Sequence, residues 1–266
     1  MLKGISVWAF APNRPLNEVF QLAKETGFQA VEVAIADDGP ITPQSSEADC
    51  RRILELAKAA GIEVCGLASG MGWKYPLTSQ DESVRRRGID ATKASLRVAR
   101  WLDTDAILLV PGIVNAATPY DAAYKNATEA IHEILPVALE TGVTLGIENV
   151  WNKFLLSPLE TRAFVEQFGD GCGAYFDVGN VIAFGFPEHW IPILNEQICR
   201  IHFKDFKREV GTLSGFCPLL EGDVDFPAVM KSLREIGYNG PVVSEFGNCE
   251  ADLTTISQAM DLILAM

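Results

Sequence analysis

Four side chains able to hold a divalent cation recur at intervals along the second half of the chain. They are Glu148 in TLGIENVWN, Asp177 in AYFDVGN, His202 in RIHFKDFKR and Glu245 in GPVVSEF. Each ends, or lies in, a short apolar run. An apolar run that ends in a carboxylate must leave that group in water, paired with a cation or on a metal. Three carboxylates and one imidazole form an oxygen-rich set with one nitrogen. That set suits Mn2+, Mg2+, Co2+ or Zn2+ and does not suit soft-metal thiolate chemistry. Taken singly, each residue has a plainer reading, as a solvated loop carboxylate or a hydrogen-bonded core imidazole; the regular spacing sets the group apart.

Other residues could line a site. Lys204, Lys207 and Arg208 form a small basic cluster that could meet a substrate hydroxyl or phosphate, or could pair with Asp205 and Glu209 in a solvated loop. Glu32 lies in the run AVEVAI and is a candidate for a substrate hydroxyl. Trp8, Phe10 and Trp73 could wall a ligand pocket or pack in the core. In EGDVDF, helix capping by Asp223 or Asp225 is the expectation, with Glu221 as an alternative orderer of the loop. His132 and His189 fall in helical patterns and read as structural or surface residues.

The elements that position these groups are legible as a repeat. Eight short runs read as strands: Gly4–Ala9, Ala30–Ala34, Glu63–Ala68, Ala106–Pro111, Thr144–Glu148, Ala174–Val178, Arg200–Lys204 and Pro241–Phe246. They are apolar almost throughout, as strands covered on both faces are. Amphipathic stretches separate them: Leu16–Thr26, Ser46–Ala60, Asp81–Leu102, Ala122–Thr141, Pro158–Phe168, Pro187–Gln197, Phe226–Ile236 and Leu253–Ala265. The phrases ETGFQAVEV, AAGIEVCGL, ETGVTLGIE and EIGYNGPVVSE repeat one junction, a helix stopped by glycine and followed by a strand. With 266 residues over eight units, the spacing predicts an α/β chain of one domain over residues 1–266, a (β/α)8 TIM barrel. A doubly wound dinucleotide fold would want a glycine-rich turn after the first strand, where this chain has WAFAPNRP. In such a barrel the C-terminal strand ends carry the chemistry. The gaps of 29, 25 and 43 residues between the four donors are then one βα unit each, the last lengthened by a loop around Gly211–Asp223.

Charge narrows the partners. Lys and Arg number 22 and Asp and Glu 35, a net charge of −13, which argues against nucleic acid and suits small molecules or cations. The six cysteines show no paired spacing and read as free thiols of a reducing compartment. No run approaches a membrane span and the first residues lack a signal-peptide pattern, so a cytoplasmic protein without membrane partners is expected. The state of assembly, monomer or homo-oligomer, is left open.

The ordered set ENVWN, FDVGN, IHFKDFKR and EGDVDFPAVMKSLREIGYNGPVVSEF, with YPLTS at Tyr75–Ser79 and LLVPG at Leu108–Gly112, resembles the sugar phosphate isomerase/epimerase family of xylose-isomerase-like barrels. That family includes D-tagatose 3-epimerases and L-ribulose 5-phosphate 3-epimerases. The resemblance implies that Glu148, Asp177, His202 and Glu245 bind one divalent cation, with Mn2+ the first expectation and Mg2+, Co2+ or Zn2+ as alternatives, and that Glu148 and Glu245 flank a sugar or sugar phosphate and exchange protons with it. It implies a substrate-binding role for Arg208, six residues after His202. Two positions depart from the free-ketose epimerases: Asn180 stands where those enzymes carry a substrate-binding His, and Phe154 where they carry a second Glu. The chemistry follows from the donor set. A ketose offers adjacent oxygens to the ion, which stabilises the enediolate formed when the C3 proton leaves; one carboxylate takes that proton and the other returns one from the opposite face.

The expected function is therefore metal-dependent 3-epimerisation of a ketose or ketose phosphate, with substrate contacts from Arg208, Lys204, Asn180, Glu32 and Trp73. Alternatives on the same metal site are an aldose–ketose or hydroxypyruvate-type isomerase and a keto-inositol dehydratase. A DNA-repair enzyme of the endonuclease IV type shares the barrel but needs about three zinc ions and many histidines; this chain has three histidines. A non-catalytic sugar-binding barrel would be expected to have lost one of the two glutamates.

Overall fold

Eight parallel strands close into a ring. They are β1 (Leu2–Ser6), β2 (Ala30–Ile35), β3 (Glu63–Ser69), β4 (Ala106–Leu109), β5 (Thr144–Glu148), β6 (Cys172–Asp177), β7 (Ile198–Phe203) and β8 (Pro241–Ser244). Each pairs with its sequence neighbour, and β1 pairs with both β2 and β8, which closes the barrel. The computed structural model describes every residue except Asn248, Glu250 and Ala251. Around the ring lie α1 (Leu16–Glu25), α2 (Glu47–Ala60), α3 (Glu82–Trp101), α4 (Tyr120–Thr141), α5 (Pro158–Glu166), α6 (Pro187–Leu194), α7 (Phe226–Glu235) and α8 (Leu253–Ala265).

Local chemistry explains the repeat. Gly27, Gly61, Gly142 and Gly237, the four junction glycines, all have positive φ, the left-handed turn that stops a helix and sends the chain back into a strand. The helix starts are capped by side chains: Ser46 and Asp49 form a reciprocal capping box at α2, Asp81 caps α3, Ser157 caps α5 and Asp225 caps α7. The largest apolar cluster lies between strands and helices, and smaller ones, such as Ala68, Leu108, Val110 and Tyr175, are separate from it.

Strand ends differ from expectation by a few residues. β1 stops at Ser6, because Val7–Ala9 turns into a short 3-10 helix whose Trp8 N–H donates to the Ser6 hydroxyl. β4 stops at Leu109, ahead of Pro111, which has no N–H to give a ladder. β8 stops at Ser244, so Glu245 lies one residue past the strand, its N–H still donating to Phe203 O at 3.2 Å. All six cysteines are free. Among the described residues no helix is long and apolar enough to cross a membrane.

Candidate active site

The C-terminal ends of β5 to β8 bring Glu148, Asp177, His202 and Glu245 together. Each offers one donor atom, and the four atoms lie within 4.8 Å of one another. His202 is wholly buried; its Nδ1 is 2.8 Å from Glu245 Oε2, 3.6 Å from Glu148 Oε1 and 4.0 Å from Asp177 Oδ2. Lys204 reaches in from just beyond β7, with Nζ 3.0 Å from Asp177 Oδ2 and 2.6 Å from Glu245 Oε2.

The backbone around these groups is tied by amides. The Asn149 side chain accepts from Asp177 N and donates to Asp177 O, both at 2.8 Å, which fixes the end of β6 against β5. Asp177 Oδ1 accepts from Asn180 N at 2.8 Å and so caps the turn Val178–Val181, leaving Oδ2 for the cluster. Asn180 donates to Asn149 O at 3.0 Å, and Trp151 Nε1 donates to Asn180 O at 2.9 Å.

Electrostatics split the two glutamates. Burial pushes the Glu148 carboxyl up, and the nearby Glu245 charge adds to that. Burial acts on Glu245 as well, but Lys204 and His202 outweigh it and hold that carboxyl low. Burial works against a charged His202, yet Glu32 and Glu245 overcome it and raise the imidazole.

Three atoms in the cluster, Asp177 Oδ2, His202 Nδ1 and Glu245 Oε2, are buried and lack a hydrogen-bond partner of acceptable geometry. Buried polar atoms are ordinarily satisfied. Three such atoms converging with a fourth donor, the Glu148 carboxylate, fit a divalent cation: hard oxygen donors, one imidazole nitrogen and negative charge to spare.

Above the cluster is a cavity of about 440 Å³. Glu148, Asn180, Lys204 and Glu245 line it, with Trp8, Trp73, Val110, Val150, Trp151 and Phe216 among its walls. The β1 and β3 loops thus bring Trp8 and Trp73 to the pocket. Phe10 is buried in the core instead, at 2% exposure. Trp151 and Phe216, which sequence reasoning missed, join the wall because Trp151 stacks edge-on with Phe206 and tilts against Phe216. The signal available was Trp151 in ENVWN, three residues past Glu148.

Two expected substrate contacts lie elsewhere. Glu32, expected at a substrate hydroxyl, is wholly buried and outside the cavity lining; its Oε1 meets the Tyr175 hydroxyl and lies 2.9 Å from His202 Nε2. It sits behind the imidazole because β2 carries it inward below the rim. Arg208 is also outside the lining; its Nε donates to Ile182 O at 3.0 Å and its guanidinium lies over Phe186. Phe154 is a core residue packed against Tyr120, Tyr124 and Phe164. His132 and His189 are exposed and lie beside Phe168 and Phe186.

The model of one protein family, described as xylose isomerase-like TIM barrel, matches residues 20–265. The L-ribulose-5-phosphate 3-epimerase of Salmonella typhi is 24% identical over 254 residues, covering 93% of this chain and 88% of its own. Among solved structures, a D-tagatose 3-epimerase-like protein superposes with a TM-score of 0.82 at 21% identity, covering 100% of this chain and 98% of that one. The IOLI protein, solved with a bound zinc atom, has a TM-score of 0.82 at 17% identity, with the same coverage.

Proposed function

The chain belongs to the xylose isomerase-like TIM barrel family, and from that premise we propose that it is a divalent-metal-dependent 3-epimerase acting on a ketose. The observation that carries the reading is the convergence of Glu148, Asp177, His202 and Glu245 at the floor of an aromatic-walled cavity. Those four residues would hold the ion, Mn2+ being the first to supply. A divalent cation bound there polarises a carbonyl and offsets the negative charge left on a substrate when the neighbouring proton is removed.

The protein's own groups do the rest. Glu148 and Glu245 stand on strand ends separated by β6 and β7, so a sugar lying between them presents one face to each. One carboxylate removes the C3 proton and the other delivers a proton to the opposite face, which inverts that carbon. Trp8, Trp73, Trp151 and Phe216 exclude water and offer flat surfaces to the sugar's C–H faces. Asn180 and Lys204 supply donors at the floor.

The same lining favours a free ketose over its phosphate. Among the described residues that line the cavity, Lys204 is the one basic side chain, and Asp177 and Glu245 already engage it. A phosphate dianion is ordinarily met by arginine or lysine donors that are free to turn to it. Arg208 is spent on backbone carbonyls of the β6 loop, so we assign it to holding that loop and not to a phosphate.

The test is a screen of free ketoses and their phosphates with Mn2+ in deuterated water. Solvent deuterium entering C3 of a free ketose, with slower turnover of its phosphate, is the expected outcome. Deuterium entering only at C1 or C2 would make the enzyme an aldose–ketose isomerase, and loss of water from a keto-inositol would make it a dehydratase. Faster turnover of the phosphate, with Arg208→Ala raising KM for it alone, would overturn the assignment of Arg208.

A further inference from the structure

Beneath the candidate cation site a hydrogen-bonded chain crosses the barrel. Tyr175 on β6 donates its hydroxyl to Glu32 on β2, and the same Glu32 oxygen lies 2.9 Å from His202 Nε2. In a ring of eight, β2 and β6 face each other across the full width. All three side chains have 0% exposure. A buried carboxylate with so few partners is costly unless it answers a positive charge. Here the partners are a phenol and an imidazole, and the other Glu32 oxygen has none among the described residues.

The barrel wall is shaped to admit this chain. A Cβ built on Gly66 of β3 would fall 2.9 Å from the Tyr175 hydroxyl, and one on Gly146 of β5 would fall 2.6 Å from the Tyr175 ring. Either is closer than real Cβ contacts come, so two glycines form the slot in which the phenol lies. The ladder also shifts register beside two of the three residues: between Val31 and Glu32 where β2 meets β3, and between Ala174 and Tyr175 where β6 meets β7. Irregularities of this kind are uncommon in parallel pairs and serve to re-aim a side chain.

We infer that Glu32 is a positioning residue for the cation site: with Tyr175 it holds the imidazole of His202 with Nε2–H donated inward, so that Nδ1 is the nitrogen presented to the ion. The inference rests on the reading of Glu148, Asp177, His202 and Glu245 as cation ligands and goes beyond it to a group that touches neither ion nor sugar. A ligating histidine whose second N–H meets a carboxylate is fixed in orientation and made a better donor. The fixed ring also explains why Nδ1, and not Nε2, faces the three carboxylates.

The experiment compares the wild-type chain with Glu32→Gln and Tyr175→Phe. Mn2+ affinity is read from the paramagnetic resonance of free Mn2+, and the Co2+-loaded proteins are read by proton NMR. The wild type is expected to show an exchangeable, hyperfine-shifted imidazole N–H from His202. Glu32→Gln should shift or lose that resonance and weaken Mn2+ binding by about 10- to 100-fold. Tyr175→Phe keeps the ring in its slot and should weaken binding toward the lower end of that range. A merely structural Glu32 would lower the melting temperature of the metal-free chain and leave both the Mn2+ affinity and the resonance unchanged; that result overturns the inference. If Glu32→Gln does not fold, Tyr175→Phe decides, and wild-type Mn2+ affinity in it counts against the inference. A wild-type chain that binds no Mn2+ removes the cation site itself, and this inference with it.

Discussion

Glutamine has nearly the size of glutamate and keeps one carbonyl oxygen for an ion, but it cannot carry a proton. Glu148→Gln and Glu245→Gln should therefore retain part of the Mn2+ and substrate binding while losing roughly 10²–10⁴-fold in kcat. In a two-base inversion the variants fail differently: the one that keeps the abstracting carboxylate still exchanges the C3 hydrogen with solvent without completing inversion. Steady-state kinetics with deuterium exchange checks this, and parental turnover by either metal-loaded variant would reduce that glutamate to a ligand. The four donors could be picked out from sequence because each ends or lies in an apolar run, where a charged or polar side chain needs a reason. Glu32 was harder. In AVEVAI it alternates with valines like any strand residue, and nothing local tells the inner face from the rim. Its partners Tyr175 and His202 are 143 and 170 residues away, so its role exists only once the barrel closes. Arg208, expected at the substrate from the family resemblance, donates instead to a carbonyl of another loop, a contact that only the folded chain creates.

At the level of elements, the repeat of helix, glycine and strand was readable because one backbone requirement recurs, whereas strand ends depended on caps and on proline. The long excursion after β7 is organised by one side chain. Asp205 is wholly buried, its Oδ2 accepting from Gly222 N at 2.9 Å and its Oδ1 from Val224 N at 3.1 Å. Asp205→Ala strands those donors and should cost roughly 1–3 kcal/mol in a denaturant titration, with Leu213 and Phe216 released from the cavity wall. On the outer layer, Glu133 of α4 accepts from Arg86 and Lys93 of α3, and those hydrogen bonds hold its carboxyl down at about 2. A depressed carboxylate contributes stability above its unfolded pKa, about 4.3, and the contribution is lost as pH falls from there toward 2. The difference between wild type and Glu133→Gln in denaturant midpoint should accordingly be constant near neutrality and shrink through that acid window. An unchanged difference at acid pH would mean that the pair does not couple the helices.

For the whole molecule, folding gathers four donor atoms that the unfolded chain leaves far apart, so on the proposed function a divalent cation should bind the folded state in preference. Mn2+ at about 100 times its Kd should stabilise the protein by about 2.7 kcal/mol, or roughly 5–10 °C in Tm for a chain of this size. Thermal melts with Mn2+ and with a chelator measure the shift, and Asp177→Asn should abolish most of it. The four donors come from consecutive strands β5 to β8, while Trp8, Ser69, Trp73 and Leu108 on the pocket wall come from the first four units. The first half thus supplies part of the wall and none of the four donors, while Val150, Trp151, Leu213 and Phe216 of the second half complete the wall. Recombination at the junction before α4 would exchange the first half's share of the wall and leave the four donors intact, provided the incoming half brings an acidic residue to the place of Glu32. On the proposed function, such a chimera would keep the proton-transfer groups and change which ketose fits between them.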